Sequence, residues 1–115
     1  MAKPFIKKKE IASWAKDIAA IAKHDNVWCK VSGLVTEADW QNWQEAEFAP
    51  FLDTVFEAFG SKRLMFGSDW PVCNLAGGYD RMIGIVKNYT SKLSIPGQAV
   101  FWGNNAMGFY NISKP

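Results

Sequence analysis

A chain of 115 residues suffices for one domain of ordinary size, and 49% hydrophobic with 21% charged residues makes it globular rather than disordered. A net charge of +2 gives no electrostatic case for a nucleic-acid or membrane partner, and no apolar run is long enough to cross a bilayer. Cys29 and Cys73 stand in apolar contexts without CxxC spacing, which excludes a zinc ribbon or a disulfide frame. They read as reduced, buried thiols of a cytoplasmic protein, and no signal peptide is recognised at Met1. Aromatic residues reach 15%, six of them Trp, so a large buried or binding surface has to be covered.

In chain order, residues 1–6 read as a loop, because Pro4 steers Lys3 away from helical geometry. Lys7, Lys8 and Lys9 read as the solvated entrance to a helix, in preference to a nucleic-acid patch. From Glu10 to Lys23, Ile11, Trp14, Ala15, Ile18, Ala19, Ile21 and Ala22 recur at helical spacing, and Asp25-Asn26 stops the run. His24, the single histidine, falls at the wrong end of that helix for a βα-loop site and reads as a surface or capping residue.

Residues 27–34 read as a strand that begins apolar and ends small and polar. Lys30 within it must either meet an anionic group at the mouth of a site or snorkel to water. Residues 36–50 mix carboxylates with Trp40 and Trp43 and carry no strand pattern, as a lid or connecting loop does. Either indole closes over a ligand or packs back on the domain. Phe48 to Phe59 reads as a helix burying Phe51, Leu52, Val55, Phe56 and Phe59, with Gly60 as a left-handed stop.

The stretch Arg63-Leu64-Met65-Phe66-Gly67-Ser68-Asp69-Trp70-Pro71 starts as a buried strand and breaks at two small residues and a proline. Asp69 then sits at the carboxyl end of a parallel strand, where α/β folds place their chemistry. It reads as a metal ligand or general base, or else as a turn or N-capping aspartate. Residues 72–78 read as a flexible loop and Tyr79 to Leu93 as a helix. Ser94 reads as the cap of a further helix with Pro96 in its first turn, and 100–110 as an apolar tail. Strands alternating with helices imply parallel pairing and right-handed crossovers.

Ala2-Lys3-Pro4, the run from Asn26 to Leu34, the run from Arg63 to Pro71, Gly103-Asn104-Asn105-Ala106 and Phe109-Tyr110 together resemble the amidohydrolase superfamily. More narrowly they are similar to its "amidohydrolase 2" branch of sugar-lactone and pyrone-dicarboxylate lactonases. The resemblance implies an α/β fold that is the carboxyl-terminal portion of a (β/α)8 TIM barrel. Two parallel strands with flanking helices, matching strands seven and eight, form a single partial domain over residues 1–115. A full barrel needs about 250 residues, so this portion is not closed by itself.

The resemblance further implies that Asp69 is the metal ligand or general base of a metal-assisted hydrolase acting on a lactone or related carbonyl. Lys30, Ser32 and Trp70 would line the substrate mouth, and Trp40 would belong to a lid. A divalent metal such as zinc is expected in the intact parent. The family's amino-terminal His-x-His pair and its histidines ending strands five and six have no counterpart here, so this chain alone is not expected to assemble the metal site. It reads as a truncated or excised segment. The competing expectation is a catalytically inactive α/β fragment that forms a homo-oligomer, or takes a complementing chain, through open sheet edges and apolar helix faces.

Overall fold

Leu64-Met65-Phe66 and Cys29-Lys30-Val31 are where the apolar runs become strands. In the computed structural model, which describes residues 1–113, β1 (Cys29–Val31) and β2 (Leu64–Phe66) pair in parallel. The register sets Cys29 beside Leu64, Lys30 beside Met65 and Val31 beside Phe66. Gly67 N–H continues the ladder to the Val31 carbonyl at 3.1 Å. β1 is shorter than the 27–34 run because Gly33, at φ +69°, turns the chain out of the sheet.

The helices are α1 (Ala12–Ala22), α2 (Ala49–Phe59), α3 (Gly78–Thr90), α4 (Ile95–Ala99) and α5 (Asn105–Phe109). α1 buries Trp14, Ile18 and Ala22, one stripe at four-residue spacing, and Trp14 meets Phe51 of α2 with ring centroids 5.4 Å apart. α2 adds Leu52, Val55 and Phe59, and α3 adds Met82, Ile85 and Val86. These share a core with Cys29, Val31 and Leu64 of the sheet. Each side chain of this size, fully buried, contributes about 1.5–3 kcal/mol. The sheet is open: it has two strands, and no barrel is closed among the described residues.

Several local readings change. Gly60 does end α2, but at φ +65°, ψ 166°, a region that only glycine occupies readily, rather than in the left-handed helical well. Residues 72–76 form a 3-10 turn with Cys73 and Ala76 buried, not a flexible loop. The carboxyl-terminal segment is helical throughout: α4, capped by Ser94 Oγ accepting from Gly97 N at 3.2 Å, runs through a π-helical turn at Val100–Asn104 into α5. Lys7, Lys8 and Lys9 occupy the turn that precedes α1. Lys3, Lys7 and Lys9 face Glu37, Asp39 and Glu47 at 3.6–3.9 Å, so the basic and acidic stretches neutralise one another across the surface. Exposed pairs of this kind contribute little to stability.

Arg63 carries more. Its guanidinium donates to the carbonyls of Ala22 (2.7 Å), His24 (2.9 Å) and Val27 (3.1 Å), capping α1 from across the fold. His24 itself is exposed. Both cysteines are free and buried, and desolvation raises the Cys29 thiol above its ordinary pKa. Among the described residues no helix is long and apolar enough to cross a membrane.

Candidate active site

The two segments leaving β1 and β2 meet at the carboxyl ends of the strands. After β2 the chain passes Gly67 and Ser68 to Asp69, whose φ of +55° is a left-handed conformation that aspartate tolerates better than most residues. The Asp69 carbonyl accepts from Cys73 N at 2.9 Å, which ties it to the following 3-10 turn. After β1 the turn at Gly33 leads into a second 3-10 turn, Val35–Glu37, anchored by Leu34 and Val35, both fully buried. Thr36 projects from this turn and its hydroxyl donates to Asp69 Oδ2 at 3.1 Å.

Asp69 therefore stands half-buried on the wall of a cavity of about 480 Å³. Lys30, Ser32, Gly33, Thr36 and Trp40 line the same space. Lys30 reaches it because the register turns its side chain to the face opposite the buried Cys29 and Val31. No ion pair to Asp69 occurs among the described residues, so the carboxylate faces the cavity rather than a structural arginine.

The two indoles of the 36–50 connection part company. Trp43 is buried: its Nε1 donates to the Ala76 carbonyl at 2.7 Å, and it packs on Phe48 with the Arg81 guanidinium 4.1 Å from its ring. Trp40 stays exposed at the cavity edge, tethered by Nε1 to the Thr36 carbonyl at 2.9 Å. Trp70 is 66% exposed and does not line the cavity. Thus Asp69, Lys30, Ser32 and Trp40 are brought together and Trp70 is not. Thr36 is the member that sequence reasoning passed over. Its spacing of three residues from the glycine that ends β1 is the one signal that could have found it.

Close packing joins the strand ends. A Cβ on Gly67 would lie 3.0 Å from Ser32 Cβ and 3.1 Å from Ser32 Oγ. Gly67→Ala should therefore cost about 1–3 kcal/mol by overpacking, read from urea unfolding midpoints. Adding Ser32→Gly to that variant should recover most of the loss. A Gly67→Ala protein as stable as the parent would mean that the strands separate freely there.

As a metal site the donor set is short. Zinc in a catalytic site takes three protein ligands and a water. Among the described residues no three His, Cys, Asp or Glu side chains converge. Cys73 is sequestered in the core and His24 lies outside the cavity. Asp69 can offer one ligand, which does not fit a complete centre built from these residues alone.

Comparison with known proteins shows the family. The family described as "Amidohydrolase" matches residues 1–112. An L-fucono-1,5-lactonase of Burkholderia multivorans is 41% identical over 110 residues, which cover 91% of this chain and 37% of that protein. An L-fucono-1,5-lactonase of Burkholderia ambifaria is 36% identical over 99% of this chain and 40% of its own length. A crystal structure of an amidohydrolase from Burkholderia multivorans with bound zinc superposes with a TM-score of 0.88 at 38% identity, covering 96% of this chain and 41% of that one. The chain thus spans about two fifths of the relatives it matches.

Proposed function

Because the chain belongs to the amidohydrolase family, we propose that it supplies one wall of a hydrolase active site in which Asp69 serves lactone opening. Water attacks the lactone carbonyl and gives its proton to the Asp69 carboxylate. The ring C–O bond then breaks, the proton held by Asp69 passes to the leaving oxygen, and the hydroxy acid so formed ionises, which returns Asp69 to its carboxylate. Lys30 faces the charge that develops on the carbonyl oxygen and stays on the product, Ser32 offers a hydroxyl to the substrate, and Trp40 covers the mouth. Trp70, exposed and off the cavity, has no part in this reading.

The observation that carries this reading is the Asp69 carboxylate, held at a strand end by Thr36 and open to a cavity shared with Lys30. The lactonase relatives support the substrate class. A divalent metal, which would polarise the carbonyl or acidify the water, belongs in this proposal to the remainder of the barrel, with Asp69 as one ligand at most. Lactonase turnover of the assembled hydrolase carrying Asp69→Asn tests the assignment.

A second reading rests on the open sheet. β2 pairs only with β1 among the described residues, and Trp70, Val72 and Leu75 are exposed close to its end. In that reading the chain by itself is inactive and self-associates, or receives the missing strands from a complementing chain. Light scattering of the isolated chain at micromolar concentration should then give a mass above that of the monomer. A clean monomer counts against self-association.

A further inference from the structure

We infer that Thr36 is a positioning residue for Asp69, fixing Oδ2 and leaving Oδ1 as the oxygen that takes the proton; this deepens the proposed hydrolase reading and rests on it. The Thr36 hydroxyl has one proton and two acceptors in reach, Asp69 Oδ2 at 3.1 Å and the Gly33 carbonyl at 3.3 Å. The carboxylate is the nearer and the charged one, so it receives the stronger bond. Thr36 Oγ1 is also the sole side-chain partner of the Asp69 carboxylate among the described residues. One oxygen is thus held and the other is free for water.

The donor is itself rigid. Leu34 and Val35 pin its turn in the core, Ala38 N bonds back to the Val35 carbonyl at 3.2 Å, and the Trp40 indole clasps the Thr36 carbonyl. A β-branched side chain on such a turn has few χ1 options. The hydroxyl is therefore preset, and a carboxylate that would otherwise sample its broad χ2 range is confined. The same residue links the exposed indole over the cavity to the acid within it, through its carbonyl on one side and its hydroxyl on the other.

Three variants of the assembled hydrolase test this. Thr36→Val, equal in shape without the hydroxyl, should lower kcat about 10-fold, the kinetic weight of one hydrogen bond to a charged group, with KM within about twofold of the parent. Thr36→Ser should restore kcat to within about threefold. In an Asp69→Asn background, Thr36→Val should add less than about twofold, since the two residues act as one unit. Full activity of Asp69→Asn would remove the hydrolase assignment and this inference with it. A crippled Asp69→Asn beside a fully active Thr36→Val would overturn the inference alone. So would a Thr36→Val loss that appears in full on the Asp69→Asn background, or one accompanied by an equal fall in the folded fraction. If Thr36→Val does not fold, Thr36→Ala takes its place in the same cycle.

Discussion

Asp69→Asn should cost the assembled hydrolase roughly 100-fold or more in kcat, with KM changed far less, because a general base contributes about that much to turnover and little to binding. The substitution suits the question because it leaves the backbone undisturbed. Asp69 holds φ at +55°, and asparagine occupies that region as readily as aspartate, whereas alanine would add strain. The amide also still accepts from Thr36 Oγ1 through its oxygen. What it loses is the negative charge and the capacity to take a proton. Steady-state lactone hydrolysis, followed by the proton released with each product acid, gives the number. Undiminished turnover would take Asp69 out of the reaction.

The second large effect is on stability, at a residue with no part in the chemistry. Asn105 is 8% exposed, and its Nδ2 donates to the carbonyls of Ser61 at 2.7 Å and Leu64 at 2.6 Å, joining α5 to the start of β2. Both partners are acceptors, so the residue there must donate, and the two N–H groups of the amide serve both carbonyls at once. Asn105→Asp keeps the shape and replaces the donor by a carboxylate oxygen facing two carbonyl oxygens. Two hydrogen bonds vanish and a charge is left buried, which should destabilise the fold by about 3 kcal/mol or more at pH 7.

The pH dependence gives an independent check. Burial beside carbonyls disfavours the charged form, so the new carboxyl should have a folded pKa above its unfolded value. The variant's deficit relative to the parent is then full above the folded pKa and shrinks as pH falls through it towards the unfolded value. Paired urea titrations at several pH values read this. A deficit that stays constant on acidification would mean that the carboxylate has escaped to water.

Some local signals held and others did not: the stop at Gly60 and the segments 72–76 and 100–109 took other conformations than those expected, and what depended on a distant partner could not be read at all. The strand end at Phe66-Gly67-Ser68-Asp69 announces itself by a change of residue type, and Ser94 with Pro96 announces a cap, because both signals lie within a few residues. The fate of the two indoles could not be read that way. Trp43 is buried because the Ala76 carbonyl lies 33 positions on, while Trp40, three residues earlier, has only the neighbouring turn to hold it. Arg63 looked like the mere start of a strand, although it closes α1 through carbonyls some 40 positions back. Thr36 escaped notice for the same reason, since a threonine in an acidic connection becomes informative only once Asp69 is seen beside it. The family resemblance carried what local pattern could not, namely that two strands with their helices are a portion of a barrel.

The π-helical turn at Val100–Asn104 sets the phase of everything after it. A π turn accommodates one residue more than the α-helix around it, which sets the side chains that follow about 100° behind their phase in an unbroken α-helix of the same length. Asn105 meets the two carbonyls of the β2 approach in that shifted phase. Rewinding Val100–Asn104 into regular α-helix at constant length would look favourable on propensity alone, yet it would swing the Asn105 amide roughly a quarter-turn away from the sheet. Removing one residue together with the wide turn would keep the amide in phase, so the turn matches the length of this segment to the position of β2.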